Sequence, residues 1–148
     1  MSLLSSASGA SLWRGYDYYR QKRVLHLNAL GNMRFESLVF GSEPYAVTID
    51  LSHLRNSACN CPHANGTRII CKHMVATYFA AFPEEAKRFY EAAMAQEEEA
   101  ERYEQELAKR TVQYIRRLTK KEAQDKLLEV LELGPEWLWD RFVRDNVE

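Results

Sequence analysis

The chain has 148 residues, of which 46% are hydrophobic and 28% are charged, and its formal net charge is −1. This length suffices for one ordinary domain, or for a small metal-stabilised module with a helical companion. No segment approaches the roughly 18 consecutive apolar residues of a membrane span, and the first ten residues lack the charged region and apolar core of a signal peptide. We therefore expect a cytoplasmic protein without a membrane partner, whose cysteines stay reduced.

Charge is distributed unevenly along the chain. Residues 1–83 contain eight Lys and Arg against four Asp and Glu, so the remainder carries the excess of acidic groups. Residues 51–83 contain no Asp or Glu, and their charged side chains are Arg55, Arg68 and Lys72. This segment is mildly cationic, well short of the strongly basic surface of a dedicated DNA-binding domain.

The N-terminal region predicts a loose terminus followed by a helix. The first ten residues are rich in Ser, Gly and Ala, which favours an unstructured end. Ser11 can serve as the N-cap of a helix of about three turns. Trp13, Tyr16 and then Tyr19 or Arg20 follow at spacings that share one helix face.

The next segment predicts three strands of an antiparallel meander. Residues 24–29 alternate in polarity before a Gly31-Asn32 turn signal, and residues 34–40 give a second strand. After a turn at residues 41–44, apolar and polar residues alternate in the clearest strand of the set. Its predicted buried face consists of Tyr45, Val47, Ile49 and Leu51.

Beyond residue 70 the pattern becomes helical. Apolar residues predict a helix from about Lys72 to Phe82, and a longer helical stretch from Glu84 toward Leu118 has a polar middle that fits a solvated face or a spacer. Thr119 and Glu122 have the spacing of a capping box for a further helix. Gly134-Pro135 then separates that helix from a last one. The sequence ends soon after this last helix, which is consistent with a natural chain that continues beyond Glu148.

Three cysteines and one histidine have the spacing of a closed metal site. One residue separates Cys59 from Cys61, one separates Cys71 from His73, and nine lie between the two pairs. Three sulfurs and one nitrogen are a ligand set of tetrahedral structural zinc sites. The chain has no other cysteine, and an odd number leaves no complete disulfide pairing, whereas zinc accounts for every thiol. We therefore predict Zn²⁺ as the cofactor of these four residues.

The two pairs of ligands require different backbone geometry. In an extended segment residues i and i+2 share a face, so Cys59 and Cys61 can reach one ion from the end of a strand. On a regular helix two such residues lie about 200° apart, so Cys71 and His73 should straddle a helix start. The unpaired N–H groups and the helix dipole there would favour the Cys71 thiolate.

These residues resemble the SWIM zinc finger, a family with the pattern Cys-x-Cys, a variable spacer and Cys-x-His. The segments Cys59-Asn60-Cys61-Pro62 and Cys71-Lys72-His73-Met74-Val75-Ala76 look like the two halves of the motif, and Tyr45-Ala46-Val47-Thr48-Ile49 resembles the strand before it. The resemblance covers roughly residues 13 to 82, and the helical region beyond is similar to that of some bacterial members. It implies zinc binding and contacts with nucleic acid or protein, often beside helicase-like or other DNA-associated machinery. It does not imply catalysis.

Several polar side chains are open to two interpretations. Arg55, Arg68 and Lys72 can contact nucleic-acid phosphates or be ordinary solvated residues. His53 and His63 can replace a metal ligand or contact a partner, or they can be simple loop residues.

The aromatic residues of the first helix are equally open. Trp13, Tyr16, Tyr18 and Tyr19 can stack on nucleic-acid bases, or they can pack in the core beside a small sheet.

Catalysis is not expected. Four protein ligands leave no coordination position for water, and none of the glycine-rich phosphate loops occurs. A zinc deaminase needs a glutamate two residues after the ligand histidine, where this chain has Val75. The remaining enzymatic alternative is Cys71 as a nucleophile with His73 as its base, and no small-molecule substrate is evident.

We predict an α+β protein, in which an N-terminal helix and a three-stranded antiparallel meander surround the CxC/CxH zinc site and an α-helical region follows. The predicted domains are residues 11–83, a SWIM-like zinc module, and residues 84–148, the helical region. The predicted function is binding of nucleic acid, DNA in particular, as part of DNA-associated machinery. The alternative is an adaptor that binds a protein partner, such as a helicase-like protein, without touching nucleic acid.

Overall fold

A computed structural model describes residues 2–147 and shows an α+β fold with four strands and five α-helices in that part of the chain. The described chain divides after Met94 into two units, which we call the finger unit and the helical unit. The elements are, in chain order, α1 (Gly9–Arg20), β1 (Val24–Gly31), β2 (Arg34–Phe40), β3 (Pro44–Asp50), β4 (Ala58–Cys59), α2 (Lys72–Ala81), α3 (Pro83–Arg117), α4 (Lys120–Leu133) and α5 (Glu136–Asn146).

The N-terminal segment differs from its prediction. The N-cap of α1 is Ser8, whose side-chain oxygen accepts a hydrogen bond from the N–H of Ser11 at 3.2 Å, so Ser11 lies inside the helix. The expected loose terminus is also wrong, because residues Leu4–Ser6 form a 3₁₀ turn and Leu3 is only 1% exposed. Burial of one large apolar side chain outweighs the small polar residues around it.

The antiparallel meander is confirmed and gains a fourth strand. The strands pair in the order β1-β2-β3-β4, and each pair is antiparallel. β4 has two residues, of which Cys59 pairs with Val47 and Ala58 pairs with Thr48. Such a short strand gives no alternation in sequence, yet it attaches the first cysteine of the motif to the sheet.

The buried face of β3 is largely as predicted. Tyr45, Val47 and Ile49 are buried, with exposures of 6% or less. Leu51 follows the last residue of the strand and is only partly buried, so the predicted face is one residue too long.

Helix α2 is the centre of the finger unit. It contacts both α1 and the first three strands, and six of its ten residues are buried, as expected for a helix with neighbours on more than one side. Gly15 permits the close approach of α1. A Cβ atom at that position would lie 2.5 Å from the Val75 Cβ and 2.9 Å from the Lys72 carbonyl oxygen.

Aromatic side chains of α1 pack on α2 and on the first turns of α3. The Tyr16 ring lies 6.0 Å from that of Phe79 and 5.8 Å from that of Phe89, and the Tyr19 ring lies 6.2 Å from that of Phe79. Trp13 contacts Phe89 at 5.1 Å but remains 42% exposed. Tyr16 and Tyr19 therefore pack in the core, as the second of the two interpretations predicted, while Trp13 lies at the edge of the core.

The helical unit has few buried side chains. Within residues 95–147 the one buried residue is Leu131, which is 6% exposed. Large apolar residues are exposed along its helices instead. They are Tyr103, Leu107, Val112, Tyr114, Ile115, Leu127, Leu128, Val130, Leu133, Trp137, Trp139 and Val147.

The predicted helices beyond residue 70 are confirmed, with ends that differ by about one residue. The capping box of α4 is also confirmed. Thr119 Oγ1 accepts a hydrogen bond from the Glu122 N–H, and the Glu122 carboxylate accepts one from the Thr119 N–H at 2.8 Å. No helix within residues 2–147 combines the length and the apolar character that crossing a bilayer requires.

Candidate metal centre

The structure brings the four predicted ligands together in a group that we call the ligand cluster (Cys59, Cys61, Cys71 and His73). One potential ligand atom from each residue lies within 4.8 Å of the other three. His73 Nδ1 is 3.7 Å from Cys59 Sγ and 3.9 Å from Cys71 Sγ. With Zn–S near 2.3 Å and Zn–N near 2.0 Å, a tetrahedral zinc ion holds its ligand atoms about 3.5–3.8 Å apart. The ligand cluster therefore has the size of such a site, with Nδ1 facing its centre.

The elements position the ligands in the two predicted ways. Cys59 is the last residue of β4, and Cys61 follows it by two positions. Cys71 is the extended N-cap of α2, and His73 is the second residue of that helix. Inside a regular helix two residues separated by one would point in nearly opposite directions, but Cys71 lies just before the helix and can therefore face the same ion as His73.

All four side chains are shielded from water, with exposures between 1% and 3%. The three cysteines are free thiols rather than disulfides. A buried group of ionisable sulfurs is costly without compensating charge, and a bound cation supplies that charge. Burial of this donor set is therefore an independent argument for a metal.

Hydrogen bonding distinguishes two of the thiols. The hydrogen bond from the Cys59 thiol lowers the pKa of Cys71 to about 4, and His73 and the backbone N–H groups of Met74 and His73 act in the same direction. That same bond, together with burial, raises the pKa of Cys59. In the metal-free pair this bond favours the thiolate at Cys71 and the protonated thiol at Cys59, so metal binding must displace a proton.

Two hydroxyl groups link the histidine to the sheet. Thr77 Oγ1 donates a hydrogen bond to the His73 carbonyl oxygen at 2.9 Å and lies 2.7 Å from Ser37 Oγ on β2. Because Thr77 has one proton to donate, the Ser37 hydroxyl is the donor of the second bond. The Tyr45 ring also stacks on the imidazole, with 4.7 Å between centroids. Sequence reasoning missed Ser37 and Thr77, which lie 40 residues apart and share no local pattern.

Asp50 organises the chain between β3 and the first cysteine. Its carboxylate accepts hydrogen bonds from the N–H groups of His53 at 2.8 Å and Ser52 at 3.0 Å, and its own N–H donates to Ser57 Oγ at 3.0 Å. These bonds, first of all the one from His53, lower the pKa of Asp50. Aspartate at the end of a strand is a turn signal that could have identified this residue.

The three predicted phosphate contacts lie in different places. Arg55 lies in the 3₁₀ turn Leu54–Asn56, and Arg68 lies in the loop between the two ligand pairs; both are exposed. Lys72 begins α2, with its Nζ 4.6 Å from the centre of the Tyr18 ring.

Lys72 also lines a cavity of about 390 Å³ beside the ligand cluster, which we call the side cavity. Arg14 of α1 joins it there, whereas Arg55 and Arg68 are not among the lining residues. Arg14 was not singled out from the sequence, because a lone arginine on a helix carries no motif.

The two other histidines considered as alternative ligands are exposed and lie outside the ligand cluster. His53 follows β3, and His63 lies in the loop after Cys61, where it lines the side cavity. With His73 already facing the sulfurs, neither is required to complete a tetrahedral set.

Residues 45–82 match the family model described as SWIM zinc finger. No curated protein and no solved structure matches the chain. The matched segment runs from β3 to just beyond α2 and contains the entire ligand cluster. Its buried donor set of three sulfurs and one nitrogen fits Zn²⁺ at tetrahedral spacing. The chain therefore carries a SWIM zinc finger, in which Cys59, Cys61, Cys71 and His73 would hold zinc.

Proposed function

We propose that the finger unit binds nucleic acid, and DNA in particular. The observation that carries this proposal is a set of unpaired cations. Within residues 2–147, none of Arg14, Arg55, Arg68 and Lys72 forms an ion pair with a carboxylate. Cations without carboxylate partners are available to the phosphate oxygens that supply most of non-specific nucleic-acid affinity.

In this proposal zinc has a structural role and the protein is not an enzyme. Each of the four donor atoms comes from a buried side chain, so a tetrahedral ion would be fully coordinated by protein and would have no position for water or substrate. A cytoplasmic location suits this chemistry, because reduced thiols are required.

Titration of labelled single-stranded and double-stranded DNA and of RNA, at two salt concentrations, tests the nucleic-acid proposal. If three to four cations contact duplex phosphates, the affinity should fall about 40-fold or more between about 50 and about 200 mM salt. Absence of binding at the lower salt concentration would overturn the proposal.

Charge variants locate the contact. Arg68→Glu should weaken binding to all sequences about equally and should reduce the slope of the salt dependence, as expected for a phosphate contact. Lys109→Glu, the same charge reversal in the helical unit, is the matched control and should have a much smaller effect. Equal losses in the two variants would indicate only a general effect of net charge.

A second candidate function is an adaptor role for the helical unit. The observation that favours it is that twelve large apolar side chains of this unit are exposed and only one, Leu131, is buried within the described residues. Exposed apolar surface on this scale is typical of protein contact sites. The occupant that fits is a protein with an apolar groove, because amphipathic helices are recognised through their apolar faces.

Site-specific crosslinking tests the adaptor role. A photoreactive group in place of Leu133, which is 80% exposed, should crosslink one defined protein in the cell. The same group in place of Gln124, an exposed polar residue of the same helix, is the control. Equal crosslinking from both positions, or none from Leu133, would contradict a docking face on α4.

A further inference from the structure

The side cavity has features that the zinc site does not use. Its walls come from the starts of α1 and α2, from Ser42 after β2, and from Pro62 and His63 after the first ligand pair. Two cations, Arg14 and Lys72, line it, and no Asp or Glu is among the described residues of its wall. The cavity is therefore electrostatically suited to an anion.

The neighbouring zinc site weakens this preference without reversing it. Zinc with three thiolates carries a charge of about −1, and Cys61 and Cys71 belong to the cavity wall. Arg14 and Lys72 together contribute two positive charges. The local sum remains positive by about one unit, and the helix starts add partial positive charge.

The two helix starts differ in their N-caps. The N-cap of α2 is Cys71, whose sulfur belongs to the ligand cluster. At α1 Ser8 caps the N–H of Ser11, and the N–H of Ala10 has no such partner within the described chain. The start of α1 therefore has an N–H group that is free to donate to a ligand.

One ring nitrogen of the ligand cluster lacks a hydrogen-bond partner. His73 belongs to the cavity wall and is 3% exposed, and its Nε2 has no hydrogen-bond partner in the described structure. With Nδ1 facing the sulfurs, Nε2 carries the ring proton. Metal-binding histidines almost always donate this second N–H to an acceptor, and His73 has none within the described residues.

We propose that the side cavity binds a phosphate group, with Arg14 and Lys72 as its charged contacts. The hydroxyl groups of Ser8 and Ser42 lie in the same wall and can donate to phosphate oxygens. This inference rests on the proposed nucleic-acid function, within which the cavity receives the terminal 5′-phosphate of a strand. The side cavity suits a terminal phosphate better than an internal one, because an internal phosphate carries a sugar on both sides and would need space for both.

Three probes distinguish the sources of the phosphate: inorganic phosphate, a 5′-phosphorylated oligonucleotide and the same oligonucleotide with a 5′-hydroxyl. The zinc-loaded full chain should bind the 5′-phosphorylated strand about tenfold more tightly than the hydroxyl form. A hydrogen bond to a charged group is stronger than one to a neutral group by about 1.4 kcal/mol, which corresponds to a tenfold difference in affinity. Inorganic phosphate at millimolar concentration should reduce that preference and shift the amide resonance of Ala10.

Two pairs of variants assign the effect to the cavity. Arg14→Gln should abolish the preference for the 5′-phosphate, whereas Arg20→Gln, the same change on α1 outside the cavity, should retain it. Ala10→Glu should also abolish the preference, because it places a carboxylate in the cavity, and Ala10→Gln is its neutral control. A glutamate near the start of a helix favours the helix, so Ala10→Glu should fold normally.

The outcomes separate this inference from the proposed function. If neither oligonucleotide binds at low salt, the nucleic-acid function fails and the inference fails with it. If both bind equally and Arg14→Gln behaves like Arg20→Gln, the function survives and the phosphate cavity is refuted. If inorganic phosphate binds but the oligonucleotides show no preference, the cavity is a site for free phosphate and the assignment to a strand end is wrong.

Discussion

The finger unit and the helical unit reach their structures by different means. The finger unit buries most of α2, one face of β3 and all four residues of the ligand cluster. The helical unit contains most of the 35-residue helix α3, together with α4 and α5, but buries only Leu131 within the described residues. Its order depends on local features such as the capping box of α4.

This contrast shows that helix length and side-chain burial do not go together in this chain. A ten-residue helix with neighbours on several sides is held by tertiary packing and by a metal, whereas exposed helices depend on caps and side-chain pairs worth tenths of a kcal/mol to about 1 kcal/mol each. The finger unit should therefore respond to changes in metal and core, and the helical unit to changes in local helix signals.

Zinc removal should have the largest effect. Cys59→Ser, or a strong chelator, should unfold the finger unit, because structural zinc contributes about 10–16 kcal/mol in finger peptides, comparable with the stability of a whole domain. Metal analysis and amide hydrogen exchange measure the result. His63→Ala, which changes a histidine outside the ligand cluster, should retain the zinc. Equal loss of protection in the helical unit would show that the two units do not unfold independently.

Gly15→Ala should have the next largest effect, because a Cβ atom there collides with Val75. We expect a loss of about 1–3 kcal/mol, as found when extra methyl groups are forced into packed interfaces. Gly9→Ala is the matched control on the same helix: no atom lies within 4 Å of its Cβ position, so stability should be unchanged or slightly higher. Denaturant unfolding of the two variants gives the comparison, and similar stabilities would contradict the close packing of α1 on α2.

Zinc affinity should rise with pH. In the metal-free finger unit the raised pKa of Cys59 keeps its thiol protonated near neutrality, and binding must displace that proton. Each displaced proton makes the apparent Kd about tenfold lower per pH unit, and Cys71, with a pKa of about 4, adds nothing to this slope. Competition with a metal indicator between about pH 6 and about pH 8 measures the effect, and a flat profile would contradict it.

The helical unit should be insensitive to pH over that interval. The pKa of Glu122 is lowered, mainly by the hydrogen bond from the Thr119 N–H, so the stabilisation it gives α4 is complete above the ordinary glutamate pKa. It should be lost only as the pH falls below that value. Amide exchange of α4, corrected for intrinsic rates, therefore provides an internal reference for the zinc measurement.

Thr119→Ala should have the smallest effect, and that effect should be confined to the helical unit. Loss of an N-cap costs about 1 kcal/mol, so the amides of α4 should exchange faster while the zinc content stays the same. Thr111→Ala is the control, because the Thr111 hydroxyl bonds only to the Leu107 carbonyl of its own helix. The control should be neutral or slightly stabilising. Any change in the finger unit would contradict the separation of the two units.

The features that could be predicted from the sequence are those with short-range signals. The alternation of β3, the capping box at Thr119 and the spacing of the ligand cluster each lie within a few residues, or follow from the preferences of one metal. The helix start at Cys71 followed from geometry, because a regular helix cannot direct two residues separated by one toward the same ion.

The features that were missed depend on contacts between distant segments. β4 exists only because Cys59 and Ala58 meet β3, and two residues are too few for a recognisable pattern. Ser8 and Ser11 can both cap a helix, and burial of Leu3 belongs to the tertiary structure, so sequence alone could not place the start of α1. The side cavity likewise combines residues from four separate segments.

The hydroxyl pair of Ser37 and Thr77 has a consequence for the choice of metal. The Ser37–Thr77 bond joins β2 to α2, and Thr77 also bonds to the His73 carbonyl within α2, so α2 cannot rotate about its axis without breaking the buried bond to β2. This bond therefore helps to hold the His73 imidazole in its position beside the sulfurs of the ligand cluster. Ions such as Mg²⁺ and Mn²⁺, which prefer six oxygen ligands, would have to distort that arrangement as well as accept unfavourable donors. We therefore expect two side chains that never touch the ion to contribute to selectivity among metals.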